Sequence, residues 1–282
     1  MINVDNLSFS YPKRTALFDG LSLQLQSGSI YGLLGKNGAG KSSLLHILTG
    51  LLFPQSGNLN VMGYQPRQRH PELLSDCFFL SEDIFLPNLT VQSYRKLYAP
   101  FYPGFDHDLF QQLIREFDLD ICSKLPGLSL GQKKKVLLAF GLATNARVLL
   151  LDEPTNGLDI PSKKQFRSVL ARHMHDNRII ILSTHQIRDL QSLIDTIIIL
   201  DKGQIVFHES LLDITDRLQF SISHREPGDP LVLYYERVPG GYYCIRHKGL
   251  QESLEVDVEI LFNAIISDPS AFSHLFNLPT YE

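Results

Sequence analysis

The chain has 282 residues, 44% of them hydrophobic and 20% charged, which is the composition of a globular protein with room for one large domain or a large and a small one. No apolar run reaches the roughly 18 residues of a membrane span, and the start MINVDNLSFSY carries neither the basic nor the apolar region of a secretory signal, so residence in the cytoplasm is expected. A formal charge of −4 gives no long-range pull toward nucleic acid, and three widely spaced cysteines (Cys77, Cys122, Cys244) without a C-x-x-C pair argue against a disulfide frame or a zinc site.

Residues 2–9 and 21–26 alternate apolar with polar side chains, the period of half-buried antiparallel strands at an edge or cover. Residues 30–34 (IYGLL) instead form a nearly continuous apolar run, a buried strand that leads into GKNGAGKS at 35–42. Helical spacing follows over 42–49, with Gly50 placed as a C-terminal cap. Three glycines among the eight residues of that loop weaken regular structure, so another gain has to outweigh the loss. Buried strand, glycine loop and helix are the context that the G-x-x-x-x-G-K-[ST] phosphate loop requires. Backbone N–H groups across Gly35, Asn37, Gly38, Ala39 and Gly40 then converge on phosphate oxygens at the positive end of the helix. Lys41 neutralises the β- and γ-phosphates of ATP, Ser42 offers its hydroxyl to Mg²⁺, and Ser43 completes the nucleotide site.

A further strand is expected from Gly57 (GNLNVMG) and another at 77–80 (CFFL). From about 88 to 143 the pattern turns helical (DLFQQLIREFDL, KKKVLLAFGLA), an inserted helical subdomain. Within it Ser129 and Gln132 have the S-x-x-Q spacing of a capping box, and the basic residues Lys133, Lys134 and Lys135 read as a solvated helix face without a function. Apolar strands return at 148–151, 179–182 and 196–200, separated by helical stretches around 163–175 and 186–193, which argues for a parallel sheet covered on both faces. The strand at 148–151 ends in Asp152 and Glu153. Neighbours at a strand end point in different directions, so the two acids take different tasks: Asp152 holds Mg²⁺, usually through water, and Glu153 polarises the water that attacks the γ-phosphate. Beyond about 210 the texture shifts to two short strands around Pro239-Gly240-Gly241 and a helix near 259–266, a small α+β appendage.

GKNGAGKS, LSLGQ, LLLDEP, NGLD and STH occur in that order, and over residues 1 to about 209 the chain resembles the nucleotide-binding subunit of an ABC transporter, of the export-permease type. The fold expected is α/β: a phosphate-loop ATPase core with a mainly parallel sheet, an antiparallel β subdomain, the helical insertion at about 88–143, and an accessory domain at 210–282. The resemblance implies a head-to-tail homodimer, or a pair with a second ABC ATPase subunit, with ATP held between the phosphate loop of one subunit and LSLGQ of the other. Ser129, the Gly131 amide and Gln132 then face the γ-phosphate across the interface, while Leu130 departs from the commoner glycine at a cost expected in packing more than in phosphate contact. His185 matches the switch histidine, Asp159 the loop that crosses the interface, and Tyr11 the aromatic that stacks on adenine.

The family's usual glutamine after the strand ending at Leu80 is missing; Ser81 fills the slot with Glu82 beside it, either can meet Mg²⁺ through water, and Glu82 is preferred. The function implied is ATP hydrolysis that opens and closes the dimer and drives a separately encoded membrane permease at the cytoplasmic face of the cell membrane. No nucleic-acid partner is expected. The competing readings are a soluble ATP-driven clamp on nucleic acid or the ribosome, disfavoured by a single cassette without sustained heptads, and an ATP-sensing regulatory subunit.

Overall fold

Sequence period sorts the strands into two layers in a computed structural model that describes residues 1–13, 15–249 and 253–276. The alternating segments β1 (Ile2–Phe9) and β2 (Phe18–Leu25) pair antiparallel. With β4 (Ser56–Val61), which follows β3 and α1 below, they make a three-stranded sheet in the order β2-β1-β4. The apolar runs β3 (Ser29–Leu34), β5 (Cys77–Leu80), β6 (Val148–Asp152), β7 (Ile179–Thr184) and β8 (Thr196–Asp201) are parallel neighbours in a second sheet, closed by the antiparallel β9 (Gln204–Ser210), in the order β5-β6-β7-β3-β8-β9.

Side chains of the parallel strands alternate between two cores. Val148, Leu150, Ile179 and Ile181 face the antiparallel sheet together with Leu44, Leu45, Ile47 and Leu48 of α1 (Lys41–Leu48). Leu149, Leu151, Ile180 and Leu182 face the opposite way. There they meet the helical insertion, made of α3 (Val91–Tyr98), α4 (His107–Glu116) and α5 (Leu130–Ala143), which follow the short α2 (Pro71–Ser75). Each helix of the insertion starts on a side-chain cap that satisfies otherwise unpaired N–H groups: Thr90 accepts from Ser93 N–H, Asp106 from Asp108 and Leu109, and Ser129 from Gln132.

After β6 comes α6 (Ile160–Arg172). The helix expected at 186–193 does not form; its hydrogen bonds run over three residues, from Asp189 N–H to Gln186 O and from Leu193 N–H to Leu190 O, as a 3-10 turn at Ile187–Asp189 followed by turns. Gln191 is held instead by the last part of the chain, donating from Nε2 to Val256 O at 2.7 Å and accepting at Oε1 from Val258 N–H at 3.2 Å.

Past β9 the chain forms α7 (Leu211–Arg217) and a three-stranded antiparallel sheet of β10 (Leu218–Ser223), β11 (Val232–Val238) and β12 (Gly241–His247) in the order β10-β12-β11. Helices α8 (Val258–Ser267) and α9 (Ser270–Phe276) follow. The turn predicted at Pro239-Gly240-Gly241 joins β11 to β12, whereas α7, β10 and α9 have no counterpart in the sequence reading. Parts of the expected appendage, 250–252 and 277–282, lie outside the described residues. Its apolar side chains Phe220, Ile245, Leu261, Ile265 and Phe272 join the core beneath the helical insertion as one contiguous cluster.

Candidate functional site

The phosphate loop occupies the gap between the end of β3 and the start of α1. Gly40 caps α1 with φ of 109°, a left-handed conformation, and a Cβ there would meet the Phe18 ring at 2.7 Å, so both the backbone and the neighbouring strand require glycine. Lys41, nearly buried, folds back over the loop and donates from Nζ to Gly35 O at 2.8 Å and Lys36 O at 3.3 Å. Burial holds its pKa below the ordinary lysine value, while the carboxylates of Glu153, Asp152 and Glu82 pull it the other way. An ammonium so placed is restrained by two carbonyls that a phosphate can replace.

One cavity of about 550 Å³ is lined by Asn37, Gly38, Gly40, Lys41, Ser42 and Ser43 from the loop and α1, by Tyr11 and Leu17 from the antiparallel sheet side, and by Glu82, Glu153 and His185 from the ends of β5, β6 and β7. Tyr11 sits at its edge, its hydroxyl 2.9 Å from Ser43 Oγ and its ring edge-on to Phe9. Gly35 and Ala39 hold the loop from behind: a Cβ on Gly35 would come within 2.5 Å of Leu200 O.

Glu153 has φ of 44°, a left-handed backbone that a non-glycine residue adopts at a cost of about 1–2 kcal/mol. Hydrogen bonds at its N–H, its carbonyl and its carboxylate hold it there. Its N–H donates to Ser183 Oγ (3.1 Å) and Ser183 O (3.2 Å), and its carbonyl accepts from Lys134 Nζ at 2.6 Å. Its Oε1 accepts from the His185 backbone N–H at 3.0 Å and lies 2.7 Å from His185 Nδ1. Asp152, on the other side of the strand end, accepts from Ser183 Oγ at Oδ1. The structure therefore brings Lys41, Glu153 and His185 to one cavity, with Asp152 beneath it.

Glu82 reaches the cavity and accepts from Asn156 Nδ2 at 3.0 Å, whereas Ser81 is absent from its lining. Ser129 and Gln132 form the full capping box, Gln132 N–H to Ser129 Oγ at 3.2 Å and Ser129 N–H to Gln132 Oε1 at 2.9 Å. These two residues and Gly131 lie outside the cavity lining, on a surface shared with the NGLD loop. Gly131 packs on Leu158 and Gly157, and the exposed Leu130 packs on Gly157. Asp159 caps α6 through Ser162 N–H at 2.9 Å, and its hydrogen bonds with Ser162 hold its carboxyl below the usual range.

The solvated face expected of Lys133 to Lys135 is not what the structure has. Lys134 is 1% exposed and bonded to Glu153, and Lys135 lies 5.8 Å from the centre of the Phe117 ring. The signal was available: Lys134 stands three, four and seven residues before Leu137, Leu138 and Gly141, on the face of α5 that packs inward.

The sequence profile of the ABC transporter family matches residues 18–156. The chain is 30% identical over 226 residues to the ABC transporter ATP-binding protein MJ1023 of Methanocaldococcus jannaschii, covering 78% of this chain and 81% of that protein. It is 29% identical over 211 residues to the lantibiotic transport ATP-binding protein SrtF of Streptococcus pyogenes, covering 74% and 90%. Among solved structures, the ATP-binding subunit of an ABC transporter superposes with a TM-score of 0.69 at 25% identity over 76% of this chain and 91% of that one.

Proposed function

This chain belongs to the ABC transporter family as an ATP-binding, ATP-hydrolysing subunit, and from that membership we propose how its residues divide the work. The phosphates of ATP lie on the N–H groups of 35–43 with Lys41 against the β- and γ-phosphates, and adenine stacks on Tyr11. A water on the far side of the γ-phosphorus is oriented by Glu153, which takes its proton as the water oxygen bonds to phosphorus; the bond from phosphorus to the bridging oxygen breaks and its electrons leave with ADP. His185, tied to Oε1 of Glu153, fixes that carboxylate and completes the contact with the γ-phosphate.

The oxygen donors around the cavity, the Ser42 hydroxyl and the Asp152 carboxylate with Glu82 in place of the missing glutamine, suit Mg²⁺, which keeps waters and needs only one or two protein oxygens beside the phosphates. When bound, Mg²⁺ neutralises charge on the β- and γ-phosphate oxygens.

The capping box at 129–132 leaves a helix N-terminus directed outward beside the exposed NGLD loop, the arrangement expected if Ser129, Gly131 and Gln132 complete the ATP site of a second subunit while Asp159 crosses between them. Among the described residues no helix is long and apolar enough to cross a membrane; in this reading the movement passes to a separately encoded permease, and the subunit works at the cytoplasmic face of the membrane. Phe85 at 92% exposure, with Leu97 and Phe101 also exposed, marks the side of the insertion where a permease helix would dock. SrtF is named for lantibiotic transport, which supports an export partner. In this reading residues 1–209 are the cassette and 210–282 an accessory unit, whose described apolar residues pack against it.

The observation that carries this reading is the convergence of Lys41, Glu153 and His185 on one cavity. It is tested with Glu153→Gln, which should bind ATP as the parent does, lose turnover by at least about 10²-fold, form an ATP-dependent dimer by light scattering, and co-purify a multi-span protein from gently solubilised membranes. Parental turnover would remove Glu153 as the base, and recovery of ribosomes without a membrane protein would remove the permease.

A further inference from the structure

A fully buried ammonium beside a catalytic carboxylate is costly to desolvate, and it persists where its charge or its hydrogen bonds are used. Lys134 is such a group, and the chemistry above makes no use of it. It stands on α5, five residues after Ser129, and reaches across to β6 to bond Glu153 O at 2.6 Å. It is 1% exposed. Burial holds its pKa below the ordinary lysine value, and three carboxylates, those of Glu82, Glu153 and Asp152, offset only part of that.

We propose that Lys134 is a positioning residue for hydrolysis: by donating to the carbonyl of Glu153 it locks the left-handed backbone that aims the Glu153 carboxylate at the attacking water. The inference rests on Glu153 being the general base. The peptide that follows Glu153 has no partner in a strand ladder, because β6 ends at Asp152. Ser183 holds the N–H side of Glu153 and His185 holds its carboxylate. At the carbonyl, which also accepts from the Asn156 N–H of the following turn at 3.2 Å, Lys134 adds the shorter, charged bond at 2.6 Å, and so fixes the rotation of the residue from the side opposite Ser183. Because the same helix begins at the capping box, the aim of Glu153 in one site is registered to the surface that carries Ser129 and Gly131. A neutral donor of similar length preserves this action, whereas an isosteric apolar side chain removes it.

The test compares Lys134→Met, Lys134→Gln, Glu153→Gln and the double variant Lys134→Met/Glu153→Gln in the full-length chain, with thermal melts, ATP binding by calorimetry, and kcat and KM. Lys134→Met should melt within a few degrees of the parent, keep KM for ATP within about twofold, and lose kcat by about tenfold or more, the size of effect a misplaced catalytic group produces. Lys134→Gln, which retains a donor, should keep at least about a third of parental kcat. The double variant should turn over no more slowly than Glu153→Gln alone, since Lys134 acts only through Glu153.

Parental kcat in Lys134→Met, equal loss in Lys134→Gln and Lys134→Met, or a change confined to KM would each overturn the proposal. So would failure of Lys134→Met to fold beside a stable and active Lys134→Gln, which would make the bond purely structural. A failure of the base reading is seen separately, as turnover in Glu153→Gln.

Discussion

In the proposed nucleotide site, Lys41 is the residue through which loop geometry would be converted into affinity. Its side chain is buried against the carbonyls of Gly35 and Lys36, so the ammonium is already aimed into the cavity before a ligand arrives, and little rotamer freedom is lost on binding. A charge-assisted contact of this kind contributes roughly 1.5–3 kcal/mol, and Lys41→Ala should therefore weaken ATP binding by about 10-fold or more in calorimetry while leaving the melting temperature of the unliganded protein nearly unchanged. Undiminished affinity would detach the loop from phosphate binding. The position of Lys41 at the cavity was legible because the motif fixes its neighbours. Lys134 was hidden by its surroundings: three lysines in a row span most of a helical turn, and only the phase of the buried residues downstream distinguishes the inward one. Glu82 lay between these cases. The break in pattern was visible in the sequence, which already favoured Glu82 over Ser81, but its contact with Asn156, from a loop more than seventy residues away, was not.

At the scale of elements, the site depends on how firmly the antiparallel sheet is fixed to the parallel one, because Tyr11 and Leu17 line the cavity from one and Lys41, Glu153 and His185 from the other. The β8–β9 hairpin makes that connection. Gly203 at its turn has φ of 79°, and a Cβ there would stand 1.9 Å from Leu17 O, an overlap with backbone that no rotamer change relieves. Beside it Gln204 donates to Asp19 O. Gly203→Ala should cost about 2–4 kcal/mol in denaturant unfolding, from the positive φ together with the forced separation, and it should weaken ATP binding because Leu17 is displaced. A loss below about 0.5 kcal/mol would mean that the two sheets are held elsewhere. The strands themselves were readable from period alone: alternation gave β1 and β2, and continuous apolar runs gave β3, β6, β7 and β8. The segment at 186–193 misled because Ile187, Leu190, Leu193 and Ile194 have helical spacing and are buried, yet Gln191 is bonded to Val256 and Val258, partners that no local pattern reveals. A tertiary contact overrode a weak propensity.

For the whole molecule, the question is whether 210–282 is an attachment or part of the body. A change of texture in the sequence suggested a boundary near 210, but Ser210 both ends β9 of the parallel sheet's edge and caps α7, accepting from Asp213 N–H at 3.0 Å. Phe207 of β9 stacks edge-on against Phe276 of α9, Arg188 pairs with Glu259, and Leu218, Phe220 and Ile245 are buried in the cluster that also contains Leu149 and Ile180. A core shared in this way leaves no plane along which the appendage can separate without exposing apolar surface, at about 25 cal/mol per Å². The full chain should accordingly unfold in one calorimetric transition. Saturating ATP, tested in Glu153→Gln so that it is not consumed, should raise that transition as a unit. Ligand at a hundredfold excess over Kd adds about 2.7 kcal/mol to the folded state, which for a chain of this size is a shift of roughly 5–10 °C. A second transition that ATP leaves unmoved would show that the last seventy residues fold on their own, and would cut the mechanical link that the contacts of α8 with Arg188 and Gln191 make to the turn following His185.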